Sequence, residues 1–320
     1  MIEFEVPNRG SIANVADLAT LIDSDVFARF RETSGPVSYN EPFGIWFRGE
    51  GVHCKPLTPS VFRTVRNEPS LTYHFMLRAA ASAHHCTNTF DWLCLMRHYE
   101  LPTRLLDWTE SVIVGLYFAV TSPRDSGSLF VLNAHRLNQL TMRWPTLQRG
   151  IAIPWSLETA LRAEFSRARS QRDYIDQISS LGREHIEDGL TREFLMTQIR
   201  SQPSTILPVL SSPVAVFPNR FNTRMIMQQS TFTLHGGVAD GAGRLYESVT
   251  VGSEPLPPAR GLCEMSQGLE PDVDFLLRAK VTNASGIRKQ LAYMGVHEGS
   301  LFPELDKQAR YVEKTWEPRL

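Results

Sequence analysis

Between Met96 and Thr109 the chain packs His98, Arg104, Asp107 and Thr109 among the ring and proline residues Tyr99, Pro102 and Trp108. Those types, so close together, mark a pocket wall rather than a plain core element. His98 can act as acid, base or orienting donor near neutral pH. It also ends a helical stretch, where the dipole favours a cation for purely structural reasons. Thr103-Arg104-Leu105-Leu106-Asp107 reads as a clip in which Arg104 and Asp107 fix each other. Trp108 either stacks on a planar ligand or lids the core. Upstream, Arg48 interrupts the apolar run Ile45-Trp46-Phe47, where burial is costly unless an anion or carboxylate partners it. The partner is either internal, Asp107 or Glu50, or a ligand phosphate held by the guanidinium fork. Gly49 beside it permits close backbone approach. Gln228 and Gln229, read as lying on a strand, point to opposite faces, so one of them meets the core or cleft.

Other chemistries lack their residues. No Ser or Cys stands in a nucleophile motif, and Cys54, Cys86, Cys94 and Cys263 have no metal-ligand spacing. Asp107 and Glu110 alone are too few carboxylates for a metal-dependent nuclease.

The elements that must position these residues follow from periodicity and punctuation. Ile12, Val15, Leu18, Leu21 and Ile22 predict a helix over 11–34, followed by a loop over 34–42. Residues 45–48 form a strand, and a helix starts near Pro59. Helical pattern fills most of 68–98 and stops before Pro102. Thr109 or Asp107 caps the next helix, 110–120. Short strands are expected at 127–133, 214–217, 225–234 and 275–281, and helices at 287–294 and after Gly299. Residues 156–200 read as a charged helical insertion, and 236–272 as an irregular excursion.

The fold class implied is α+β, a small mixed or antiparallel sheet flanked by helices. One domain spans 1–320, with its core over about 45–135 and 205–312. Composition agrees with a chain that buries a full core: 320 residues, 42% hydrophobic and 21% charged. A formal net charge of −1 speaks against indiscriminate nucleic-acid binding. Only five of the 33 basic side chains are Lys, and Arg suits bidentate binding of phosphate and carboxylate. Met1-Ile2-Glu3-Phe4-Glu5 lacks the basic start and apolar run of a signal peptide, and no window reaches bilayer length. The expectation is a cytoplasmic, bacterial-type protein without a membrane span.

Trp46-Phe47-Arg48-Gly49 together with His98-Tyr99-Glu100-Leu101-Pro102-Thr103-Arg104-Leu105-Leu106-Asp107-Trp108-Thr109 resembles the FRG-domain family, whose signature reads HYGLPTRLLDWT. Glu100 replaces the usual Gly. Gln228-Gln229-Ser230 resembles a Gln-Gln-Gly element of the same family, and Ser300-Leu301-Phe302-Pro303-Glu304 its closing segment. A second resemblance, to ADP-ribosyltransferases, rests on element order: Arg48-Gly49, then Thr109-Glu110-Ser111 with Gly115 to Ala119, then Gln228 or Gln229 where a Glu is expected. It implies a nucleotide-handling site with NAD as candidate substrate, in an enzyme or NAD hydrolase of toxin or defence type. Arg48 would then hold the pyrophosphate and Thr109 the ribose. Trp108 or Tyr117 would stack on the ring, with Tyr99, Thr103 and Arg104 nearby and His98, Gln228 or Gln229 in catalysis. The alternative is a non-catalytic sensor or adaptor that binds a nucleotide or a protein through the same cleft.

Overall fold

A computed structural model describes residues 6, 8–31, 44–51, 57–63, 68–83, 85–122, 126–141, 212–236, 250–251, 254–255, 261–267, 269 and 274–316. Seven strands make one mixed sheet: β1 (Asn8–Ile12), β2 (Ile45–Glu50), β3 (Leu105–Thr109), β4 (Ser126–Asn133), β5 (Val214–Val216), β6 (Ser230–Leu234) and β9 (Leu276–Thr282). Across the sheet the order is β1-β9-β4-β2-β3-β6-β5. Only β1 with β9 is parallel; every other neighbour is antiparallel. Thr250–Val251 (β7) and Glu254–Pro255 (β8) form a separate two-stranded ladder.

The central join is the one that matters for function. β2 follows β4 through six consecutive pairs, and β3 follows β6 through five. Between β2 and β3 a single pair, Phe47 with Thr109, holds the two halves together. Beyond it the strands splay. The hydrophobic packing divides at the same line. On one face, Ile45 and Phe47 pack with Leu116, Ala119, Leu129 and Ile287. Leu105 packs instead with Phe90, Leu93, Met96 and Phe232 in a second cluster. On the other face one cluster runs through, from Trp46 and Phe130 to Leu106 and Trp108. The sheet is thus backed continuously on one side and parted on the other.

Two helices flank the parting. Asn88 caps α5 (Thr89–His98), its side chain accepting the Asp91 amide at 2.9 Å. Ser111 caps α6 (Val112–Ala119), accepting the Val114 amide at 3.4 Å. α6 lies directly on β2. A Cβ at Gly49 would stand 2.1 Å from both the Ala119 nitrogen and the Gly115 oxygen. Because the obstacle is backbone, no rotamer change relieves it. Gly49→Ala should therefore cost about 1–3 kcal/mol as overpacking. A thermal melt within about 0.5 kcal/mol of the parent would show that α6 stands off the strand.

Several expected elements fall differently. The helix expected over 11–34 is replaced by β1 and two short helices, α1 (Asp17–Ile22) and α2 (Asp25–Arg31). Ile12 is fully buried against β9, and Ser24 separates the helices by accepting the Phe27 amide at 3.3 Å. Past α3 (Ser60–Arg63), the stretch 68–98 divides into α4 (Glu68–Ala79), a 3-10 turn at Ala80–Ser82 and α5, and α7 (Ala134–Thr141) follows β4. Neither Thr109 nor Asp107 caps the helix after β3; both are in the strand, and Ser111 takes that role. The segment 225–234 is no single strand. Asn222 caps a short helix, α8 (Thr223–Met227), ahead of β6. Within the excursion 236–272 the described residues include β7, β8 and α9 (Leu262–Ser266). The insertion expected at 156–200 and the loop over 34–42 lie outside the described residues. After β9 come α10 (Ala284–Tyr293), α11 (Glu298–Leu301) and α12 (Leu305–Trp316). Among the described residues no helix is long and apolar enough to cross a membrane.

Candidate functional site in the parted sheet

Where β2 and β3 diverge, ladder bonds are lost and side chains take their place. The Arg48 guanidinium donates to the Asp107 backbone oxygen at 2.6 Å, crossing the parting. Its other edge grips Glu50, with Nε to Oε1 at 3.0 Å and Nη2 to Oε1 at 2.5 Å. The Phe-Arg-Gly run thus has a physical role at each position. Phe47 makes the last cross-strand pair, Arg48 bridges the gap, and Gly49 admits α6.

The parting opens into a cleft of about 470 Å³, within the size range of small-molecule sites. Arg48, Arg97, Arg224, Asp107, Glu100 and Gln228 supply its charged and amide groups, while Phe47, Gly49, Trp108, Thr109, Phe118 and Ser230 complete the lining. Arg97, one residue from the end of α5, holds Asp107 by three contacts of 2.6–3.0 Å. Burial alone would raise the Asp107 carboxyl, but the Arg97 guanidinium, with Arg48 behind it, brings it down to about 2. The same pairing raises Arg97. Asp107 therefore stays ionised at any physiological pH.

Arg224 is held differently. Its guanidinium lies 4.6 Å from the Phe302 ring centroid and 3.7 Å from Glu304 Oε1. Stacking fixes the plane of the group while leaving its donor edge available. Among the described residues it makes no hydrogen bond.

The residues singled out in the sequence divide. Arg48, Gly49, Asp107, Trp108, Thr109 and Gln228 meet in the cleft, whereas His98, Tyr99, Thr103, Arg104, Tyr117 and Gln229 lie outside its lining. The Arg104–Asp107 clip does not form. Arg104 turns inward to Glu68, Nε to Oε2 at 2.6 Å, while Asp107 takes Arg97. Thr103 is fully buried. His98 faces Glu304, Nε2 to Oε1 at 3.6 Å. Burial and then Arg224 lower its pKa against the opposing pull of Glu304. Tyr99 is exposed, edge-on to His98. Tyr117 packs edge-on to Phe118 against the α6 cluster. Trp108 is a core residue whose indole donates to Thr233 Oγ1 at 3.1 Å. The Thr109 hydroxyl donates to the Gln228 backbone oxygen at 2.6 Å and accepts the Ser111 amide at 3.0 Å.

Gln228 and Gln229 do not sit on a strand. They form the turn between α8 and β6, with Gln229 in the left-handed region at φ 46° and exposed. The Gln228 amide donates to the Leu301 backbone oxygen at 3.0 Å. Ser230, where the resemblance expects Gly, is buried and already in β6 opposite Thr109. The other departure falls on a left-handed residue. Glu100 has φ 63°, and Leu101 N–H reaches back to the Met96 oxygen at 3.0 Å, closing α5 with the turn that Gly ordinarily makes. A Glu kept there carries a conformational cost of about 1 kcal/mol or more, and such outliers gather at functional sites. Its side chain lines the cleft and faces Lys307 at 3.6 Å.

The chain carries an FRG domain, whose family model matches residues 44–128. The match spans β2 through α6 and the first residues of β4, and so takes in Arg48, Arg97 and Asp107 on both sides of the parting. Arg224, Gln228 and Glu304 lie beyond it. Neither a search of curated proteins nor one of solved structures found a significant match.

Proposed function

We propose that the cleft binds an anionic nucleotide-type ligand, NAD or a related dinucleotide, and that binding rather than fast turnover is its main property. The observation that carries this reading is Arg224: a stacked guanidinium without a hydrogen bond among the described residues, in one cleft with Arg48 and Arg97. Arg97 and Arg48 are largely committed to Asp107 and Glu50, so Arg224 offers the fork for a phosphate.

Slow turnover follows from the carboxylates. Cleavage of a glycosidic bond to nicotinamide needs uncompensated negative charge near the anomeric carbon. Gln228 is neutral and bonded to Leu301, and the charge of Asp107 is neutralised by Arg97. In this form the protein acts as a sensor or adaptor. One observation favours an enzyme of effector type instead: Asp107 lines the cleft fully ionised.

Incubation with NAD, following nicotinamide release and melting temperature together, separates the two forms. The expected result is stabilisation by about 2.7 kcal/mol at 100-fold excess over the dissociation constant, with little release. Rapid release abolished by Asp107→Asn would establish the enzyme. Neither stabilisation nor release would remove the nucleotide reading.

A further inference from the structure

We propose that Leu301–Lys307 is a strap fastened across the cleft, and that an anionic ligand loosens it by taking Arg224 from Glu304. The inference rests on the anion-binding reading of the cleft and adds a conformational consequence to it.

The strap joins α11 to α12 and is fastened to Gln228, Arg224, Phe118 and Glu100, which line the cleft, and to His98, which does not. Gln228 donates to the Leu301 oxygen at 3.0 Å, Phe302 stacks on Arg224, and Phe118 meets Phe302 edge-on at 6.2 Å. Lys307 faces Glu100 at 3.6 Å. Leu301 is buried at one end of the segment, but α12 has no buried residue and exposes Leu305, Val312 and Trp316. Its other contacts are with α11 and the strap itself: Gln308 to the Gly299 and Phe302 oxygens, Tyr311 stacked on His297, and Lys314 to Glu298.

Glu304 is the fastening that an anion would contest. Both of its carboxylate oxygens are shielded from solvent, and neither accepts a hydrogen bond among the described residues. Its neighbours stand off, Arg224 at 3.7 Å and His98 at 3.6 Å. In the same region Asp107 grips Arg97 at 2.6–3.0 Å, which shows what a permanent pair looks like here. A shielded carboxylate so poorly satisfied contributes little to holding the strap. Once the Arg224 fork turns to a ligand phosphate, Glu304 is left as an uncompensated charge out of water. Lifting the strap rehydrates it. By reciprocity, whatever loosens the strap must favour the anion.

The test uses the full chain and inorganic pyrophosphate, with affinity by calorimetry and amide hydrogen exchange over residues 301–316. Saturating pyrophosphate should speed exchange in that segment. Glu304→Gln removes the competing charge and Glu304→Asp shortens its reach, so each should bind pyrophosphate about fivefold tighter or more. Unchanged or slower exchange at saturation, or variants that bind no tighter than the parent, would overturn the strap while leaving the anion site standing. Should one variant fail to fold, the other and the parent's exchange still decide. Absence of pyrophosphate binding by the parent would remove both readings together.

Discussion

Acidification from pH 7 to pH 4 should cost this fold about 3 kcal/mol through His235 alone. His235 is 4% exposed and sits at the end of a hydrogen-bond chain behind the cleft. Trp108 Nε1 can only donate, so Thr233 Oγ1 accepts from it at 3.1 Å. The Thr233 hydroxyl keeps its proton and a second lone pair for His235 Nε2, 3.0 Å away, so it donates to that nitrogen or accepts from it according to the imidazole tautomer. Burial first, and then the charges of Arg48 and Arg104, push the imidazole down to about 3. The sign follows from comparing the two states. The unfolded chain takes up a proton at His235 as pH falls through about 6.5, while the folded chain resists until about 3. Stability is therefore unaffected above that window and falls through it, by about 1.4 kcal/mol per pH unit at the steepest. His235→Gln keeps an acceptor for Thr233 without a titration. Urea unfolding at pH 7 and pH 4 should show the variant losing about 3 kcal/mol less than the parent. Equal losses would mean that His235 takes up its proton in the folded protein as readily as in the unfolded chain.

Removing the carboxylate of Glu68 should be still more damaging, at about 3–5 kcal/mol. Glu68 and Arg104 side chains are only 3% and 5% exposed. Glu68 accepts from the Arg104 backbone nitrogen at 2.7 Å and from its Nε at 2.6 Å, fixing the start of α4 to the approach to β3. Glu68→Ala leaves a guanidinium and an amide out of water without that acceptor. Replacing both members by apolar residues of similar volume should recover much of the loss, because the paired charges themselves contribute little net stability. Chemical denaturation of the single and double variants measures both quantities. A single variant within about 1 kcal/mol of the parent would place Arg104 in contact with water.

The division between what the sequence revealed and what it hid has physical causes. Arg48 and Gly49 were legible because a charge in an apolar strand demands a partner and a glycine beside it permits close approach, whereas Asp107 was noticed as a partner for Arg104 or Arg48 or as a helix cap. Glu50 was one of the two internal partners expected for Arg48, and the contact is made. The pairing of Arg104 was misjudged because the nearest carboxylate in sequence, Asp107, competes with Glu68, which lies 36 residues upstream and only reaches Arg104 in the fold. Arg97 escaped notice because an Arg near a helix C-terminus is satisfied by the dipole and by solvent, and calls for no further account. Gln228 and Gln229 were picked out but placed on one strand, and Arg224 was given no role of its own, because of the run from Met225 to Leu234. That run is rich enough in β-formers to read as one strand, although Asn222 signals a helix start by its capping preference. Glu304 was noticed only within the closing segment Ser300 to Glu304, with no sign of a role of its own. Its meaning depends on Arg224 and His98, which approach it from two other helices.

The central claim is that Arg224 receives an anion in the parted sheet, and the most direct measurement is calorimetric titration of ADP-ribose into the parent and Arg224→Lys proteins. The parent should bind. The lysine variant, with its charge kept and its fork lost, should bind about tenfold more weakly at an unchanged melting temperature. Equal affinity in the two proteins, or no binding by a folded parent, would contradict it.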